Sequence, residues 1–300
     1  MNKKIAYFLK LILSIAFFIS GLSKGFDPYG TSLKISEYCV QFGYGIYPNI
    51  SMILSVGLCS LEICIGYCLL FNIHLLPILY TVLAILILFT FLLVVVSIVP
   101  EISVEDCGCF GDILPMSISA SITKNILLIG VAVIMMYLIN KGCVKFKQRS
   151  GVIFIVIVIA LSACIPMYSA IMLPFIEFTE YQVGADLHNV KSFQLVDDEY
   201  TNVTQKILDA DHQILIVKKK EFSSKESGIV KILVPFTTNG QYNVDVIIGL
   251  DAENSMNELY CSDNTLKMIA RTPENAVIYL EKGIIKKKKK LWNIPNNLKN

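Results

Sequence analysis

Two cysteines one residue apart, in the run Asp106-Cys107-Gly108-Cys109-Phe110-Gly111-Asp112, are the residues of this chain best placed to carry chemistry. Paired thiols can exchange electrons as a disulfide, so thiol–disulfide exchange is the first reaction this spacing suggests. Two fully extended residues span about 7 Å between Cα atoms, whereas a disulfide wants roughly 5.5 to 6 Å. Bridging Cys107 to Cys109 therefore requires a tight bend, which Gly108 permits. So small a ring is strained, and strain raises the reduction potential, making the bridge an oxidant of other thiols. Glu105, Asp106 and Asp112 oppose this by raising the thiol pKa values, unless Lys124 or a helix terminus compensates. Two other readings stay open: a structural turn, or part of a soft-metal site completed by an imidazole or carboxylate from elsewhere. Redox is preferred, and no metal-ligand set is assigned.

A relay needs a second thiol or an electron acceptor, because a cysteine pair that exchanges electrons must be returned to its starting state. Cys39 is the candidate redox partner, against the plainer reading of a small packing residue. Cys59, Cys64 and Cys68 share one apolar run, Cys64 and Cys68 at i, i+4, and read as packed, unbridged thiols. Glu62 lies in the middle of that run, where a carboxylate is costly unless it gains a partner or a proton. It is a candidate for a structural pair or for binding a proton released when thiols are oxidised.

These residues need elements to position them. Of 300 residues, 54% are hydrophobic and 17% charged, too apolar for an ordinary soluble protein of this size. Windows of about 20 apolar residues run over 5–22, 49–71, 74–98, 119–139 and 151–173 and predict five membrane spans. The first is read as an anchor, because the cleavage pattern at 19–22 is weak. Lys3 and Lys4 before span one, with Lys141, Lys145, Lys147 and Arg149 between spans four and five, place those segments in the cytoplasm. The acidic cysteine loop and everything after residue 174 then share the outer side. Between spans one and two, Asp27-Pro28-Tyr29-Gly30 predicts a turn, with Thr31 or Ser32 capping an interfacial amphipathic helix whose apolar face is Ile35, Tyr38, Cys39 and Phe42.

From residue 177 the pattern changes to short strands, expected at 213–217, 229–234, 244–248 and 276–280, in a small mixed α/β domain. Lys286 to Lys290 predicts a solvated edge strand or hairpin. Cys261 has no partner at C-x-x-C spacing, so the tail lacks the ordinary dithiol motif. The net charge of +2 gives no reason to expect nucleic-acid binding.

Over about residues 1–140 the chain resembles the DoxX-like superfamily, in its branch containing methylamine utilisation protein MauE. The resemblance rests on Ser20-Gly21-Leu22-Ser23-Lys24, on Asp27-Pro28-Tyr29-Gly30 followed by Lys34 and Tyr38, on Leu61-Glu62 with Gly66, and on Cys107-Gly108-Cys109-Phe110-Gly111-Asp112. It implies a four-helix membrane bundle linked to thiol redox, similar to vitamin K epoxide reductase and DsbB proteins, and disulfide formation of the kind in which MauE is implicated for the small subunit of methylamine dehydrogenase. It puts Cys107 and Cys109 in the catalytic role and makes a membrane quinone the expected electron acceptor. The tail, roughly 181–297, resembles a worn thioredoxin-like domain. Leu266 to Arg271, Thr272-Pro273 and the strand from Ala276 look like that fold's last helix, cis-proline loop and closing hairpin. That likeness implies a groove at Pro273 for an extended substrate chain.

The expected architecture is an α-helical membrane protein: a DoxX-like four-helix transmembrane domain at 1–140, a linker and fifth span at 141–176, and an extracytoplasmic thioredoxin-like domain lacking C-x-x-C at 177–300. The expected setting is the inner membrane, with a cytoplasmic N-terminus. The expected function is thiol-disulfide oxidoreductase chemistry on exported cysteine-containing proteins. The alternatives are a non-enzymatic assembly factor with a fixed structural bridge, and metal handling by the same thiols.

Overall fold

The computed structural model describes residues 3–99, 111–113, 116–144, 146–148, 151–233, 243–249 and 258–294. The chain forms two compact units, 1–170 and 171–300.

The first unit is helical: α1 (Lys3–Phe26), α2 (Pro28–Gln41), α3 (Pro48–Phe71), α4 (Leu75–Ile98), α5 (Ile118–Asn140) and α6 (Val152–Ile171). All but α2 are long and apolar enough to cross a membrane. At about 1.5 Å rise per residue, even the shortest reaches roughly 30 Å, the thickness of a bilayer core. The protein is an integral, multi-pass membrane protein with a small α/β domain after its fifth span.

Two sequence expectations change here. Helix α1 runs past the window ending at residue 22 and carries Lys24 inside the bundle, 5% exposed. A buried charge is tolerable there because it is paired, as described below. The run Asp27-Pro28-Tyr29-Gly30 is not a separate turn before a cap at Thr31 or Ser32. Asp27 is itself the N-cap of α2, its Oδ1 accepting from the Gly30 N–H at 3.2 Å, and Pro28 opens the helix. An aspartate cap followed by proline at the first helical position satisfies one orphan N–H and removes another.

Helices α1 and α3 pack at close range through small residues. A Cβ on Gly21 would stand 2.7 Å from the Ile63 backbone nitrogen, and one on Gly66 would stand 3.0 Å from the Phe18 backbone. Ser14 Oγ donates to the Gly66 carbonyl at 2.8 Å across this seam. Close approach of this kind is how helices gain dispersion contacts in lipid, where no hydrophobic effect drives them together. Leu13 and Phe17 of α1, Leu69 of α3, Leu79 and Leu86 of α4, and Leu128 and Met135 of α5 share one buried core. Helix α6 packs Val158 against Cys68 and Ile73 in a separate cluster and sets Pro166 beside Gly25.

The second unit is a five-stranded sheet in the order β3-β2-β1-β4-β5. Its elements are α7 (Thr204–Leu208), β1 (Gln213–Val217), α8 (Ser224–Leu233), β2 (Asn243–Gly249), β3 (Glu258–Cys261), α9 (Asp263–Ala270), β4 (Ala276–Glu281) and β5 (Ile284–Lys290). Strands β1, β2 and β3 are parallel, and β4 pairs antiparallel with both β1 and β5. Central β1 is buried on both faces. Leu215 and Val217 meet Leu266 and Ile269 of α9 on one side, while Ile214 and Ile216 meet Ile229 of α8 on the other.

The strand expected at 229–234 is instead the end of α8 as far as the description reaches. Two parallel strands need a crossover, and Ser223 with Glu226 forms a capping box that starts one: the Ser223 N–H donates to Glu226 Oε2 at 2.8 Å. The β4–β5 hairpin turns on Lys282 and Gly283, both with positive φ (48° and 74°), as a two-residue type I′ turn requires. The lysine run is an edge strand as expected, yet not wholly solvated. Lys288 and Lys290 are 9% and 5% exposed, and Lys288 Nζ donates to both carboxylate oxygens of Glu177 at 2.9 Å. Among the described residues no peptide bond is cis, so the Thr272–Pro273 bond is trans, where a cis bond was expected.

Candidate functional site

At the end of the helical unit that carries α2, a buried lysine meets a buried glutamate. Lys24 Nζ donates to Glu62 Oε1 at 2.6 Å, to Glu62 Oε2 at 2.9 Å and to Ser20 Oγ at 3.1 Å. An ammonium has three N–H donors, so these contacts engage all of them. Both side chains are about 5% exposed. The pairing follows from the helix seam: Gly21 lets α1 approach α3 closely, and Lys24, three residues on, lies on the same face. Of the two roles weighed for Glu62, the geometry supplies the partner.

A cavity of about 430 Å³ opens beside the pair. Helix α1 contributes Phe17, Ser20 and Lys24; α2 contributes Thr31, Lys34, Tyr38 and Cys39; α4 contributes Phe89, Leu92 and Leu93; α5 contributes Lys124 and Asn125. The apolar face read from the sequence as interfacial, Ile35, Tyr38, Cys39 and Phe42, is the wall of this cavity on the α2 side. Cys39 and Glu62, two candidates 23 positions apart in sequence, therefore line one space.

Cys107 and Cys109 lie outside the described residues. The chain is described again at a single 3₁₀ turn, Gly111–Ile113. A Cβ on Gly111 would be 3.5 Å from both the Ser23 carbonyl and Lys24 Cα, and its φ is +59°, so glycine suits both the fit and the conformation. The residue two positions after Cys109 thus sits against the backbone of the lysine that holds Glu62.

Of the other thiols, Cys59 is fully buried on α3 three residues before Glu62 and does not line this cavity. Cys64 and Cys68 face each other on α3 with sulfurs 4.0 Å apart, unbridged, and Cys143 is exposed after α5. In the second unit, Cys261 ends β3 at 2% exposure, and burial with Asp263 nearby pushes its thiol up to about 12. That thiol stays protonated and unreactive at neutral pH. Pro273 lies in the loop between α9 and β4. The carbonyl of Thr272, just before it, accepts from Lys219 Nζ at 2.8 Å, and burial lowers that amine to about 7. Asn275, fully buried, accepts from the Lys219 and Lys220 N–H groups at 2.8 and 3.0 Å and holds the loop against the end of β1. Among the described residues no cluster of three or more His, Cys, Asp or Glu side chains is arranged to hold a metal ion.

The residues missed from sequence are Lys24 as the partner of Glu62, and Thr31, Lys34 and Asn125 as lining. One signal is present: Glu62 is the only acidic residue of its apolar run, and Lys24 stands near the end of the preceding one, which suggests a pair.

Residues 2–138 match the family described as Methylamine utilisation protein MauE. No curated protein and no solved structure matches the chain.

Proposed function

From a chain whose segment 2–138 is of the MauE family, we propose a membrane thiol-disulfide oxidoreductase that forms disulfides in exported partner proteins. A client dithiol attacks the Cys107–Cys109 disulfide; the client leaves as a disulfide, and the loop is left as two thiols, having gained two electrons and two protons. A second oxidation must restore the bridge. A membrane quinone, the acceptor implied by the likeness to DsbB-type proteins, would supply that oxidising power. Cys39 is the candidate for an intermediate thiol, and the Lys24–Glu62 pair the candidate for holding a released proton. Nothing in this reading requires methylamine metabolism.

One observation carries it: Gly111 rests on Lys24 beside a cavity that Cys39 lines. Gly111 follows Cys109 by two positions in the chain. The arrangement favours a relay over a fixed bridge because a titratable pair and a second thiol stand within the same space.

The tail we read as a thioredoxin-like module without the dithiol, serving to bind rather than to react. The succession of α9, the Thr272-Pro273 loop and the β4–β5 hairpin supports that reading, as do the parallel β1–β2 pair and antiparallel β4. The trans bond before Pro273 and the carbonyl taken by Lys219 count against an open groove there.

The experiment is to trap mixed disulfides with Cys107→Ala and Cys109→Ala variants in cells. One variant should retain covalently linked exported protein that reductant releases. The proposal fails if neither variant captures protein and the wild-type pair stays reduced.

A further inference from the structure

We infer that the tail docks on the lipid surface of the membrane, held there by Phe175, Ile176 and Phe178, which enter the headgroup layer of the bilayer. The surface belongs wholly to the second unit, and the inference does not depend on the thiol chemistry proposed above.

Apolar surface is unevenly spread over this unit. Among its described residues, the large hydrophobic side chains left exposed are Ile171, Met172, Phe175, Ile176, Phe178, Val183 and Tyr200. Six of the seven fall within residues 171–183, so the patch is confined to the stretch that leaves α6. Such residues are ordinary on a surface when scattered singly; three within the four positions 175–178 mark a face that meets something apolar. The chain itself says what that is. Helix α6 has 20 residues and about 30 Å of rise, which matches a bilayer core with no surplus, so its last residue, Ile171, stands at the edge of the hydrocarbon. Pro174 keeps the helix from continuing. Phe175 is four residues past that edge, so at most about 14 Å of chain separates it from the hydrocarbon.

A second observation points the same way: the segment is built into the domain and is not a loose tether. Glu177 takes the Lys288 Nζ on both carboxylate oxygens at 2.9 Å, in side chains 9% and 4% exposed. Glu180 accepts from Ser192 Oγ at 2.7 Å, Asn293 Nδ2 reaches Met172 Sδ at 3.4 Å, and Tyr181 belongs to the buried core. Both carboxylates of the stretch are thus engaged by the domain, while Phe175, Ile176 and Phe178 stay 60%, 40% and 43% exposed. This division suits the boundary between headgroups and acyl chains, where apolar side chains gain by leaving water and a carboxylate does not. Because the segment is tied to β5 through Lys288, docking fixes the orientation of the domain as well as its distance from the lipid.

The test uses the full chain in nanodiscs, with Trp292→Phe removing the only tryptophan and Phe178→Trp placing a reporter in the patch. Phe178 is 43% exposed, so the larger ring is accommodated. Emission is compared in ordinary phosphatidylcholine and in phosphatidylcholine brominated near the top of its acyl chains. A docked tail gives blue-shifted emission that the brominated lipid quenches. Adding Phe175→Ser and Ile176→Ser should lower the ratio of docked to undocked tail by at least about tenfold, since burial of even one such side chain is worth that much, and so restore most of the lost intensity. Buried Cys261 reports folding: a tail that resists alkylation there is intact, and if the serine variant fails this check the reporter in the parent decides. The inference is overturned by the emission of a water-exposed tryptophan, by quenching that the serine changes leave untouched in a folded tail, or by shielded emission that brominated lipid does not alter. The last of these would assign the patch to a protein surface instead.

Discussion

Removing one member of the Lys24–Glu62 pair should damage the protein more than removing both. Each side chain is about 5% exposed and the ammonium makes three contacts of 2.6 to 3.1 Å, so Glu62→Leu leaves a buried cation with its main acceptor gone. Breaking a buried pair on one side typically costs about 3 to 5 kcal/mol, or roughly two to three and a half orders of magnitude in the folding equilibrium. Replacing both partners by apolar groups of similar volume is often close to neutral. Lys24→Met with Glu62→Leu should therefore recover most of the stability lost by either single change. The assay is a thermodynamic cycle on purified protein in detergent, following helix loss by circular dichroism. If each single variant melts with the wild type, the pair is not buried as described. If the double variant is as unstable as the summed singles, the two side chains do not interact and Lys24 is not held inside the bundle by Glu62.

Other consequences are as direct. Gly21→Val places carbon where a Cβ would already be 2.7 Å from the Ile63 backbone, so α1 must move off α3; a loss of about 1 to 3 kcal/mol is expected in the same unfolding assay, and an unchanged melt would contradict the close seam. His188 is held by Asp186 at 2.7 Å and Asp209 at 3.2 Å, which raise its pKa above the ordinary histidine value. A raised folded pKa means this stabilisation is complete below about pH 6.5, the unfolded value, and is lost as pH rises through the folded one. Melting of the tail, followed by its single tryptophan, Trp292, should therefore fall between mildly acidic and mildly alkaline pH in wild type and show a smaller fall in His188→Gln; equal slopes would contradict the assignment. Cys261, pushed up to about 12 and 2% exposed, should resist alkylation until the tail unfolds, whereas exposed Cys143 should label at once.

Much of this architecture was legible in the residues, and the misses have physical causes. Apolar windows located all five long helices because a bilayer demands length and hydrophobicity and little else. Lys24 ended the first window early, since hydropathy scores a charge as an exit from the membrane and cannot see a partner 38 residues away. The segment Ile229 to Leu233 reads as strand by its branched side chains, but the parallel neighbours β1 and β2 need a crossover and the Ser223–Glu226 box starts a helix. Lys288 and Lys290 read as solvated because lysines usually are; Glu177, more than 100 positions earlier, takes one of them into the tail's interior. Cys39 and Glu62 were found singly, each by its residue type in an apolar setting. That they line one cavity depends on how α2 packs against α3, which no local pattern specifies.

The proposed function requires the Cys107–Cys109 loop to be an exchangeable sulfur couple facing the exterior. Intact cells are treated with a membrane-impermeant maleimide, with and without brief mild reductant, and the two cysteines are scored by mass spectrometry. An exchangeable exterior pair gives no labelling at first and labelling of both cysteines after reductant, without lysis. Labelling that appears only once the membrane is opened, or a pair that mild reductant leaves untouched, would contradict it.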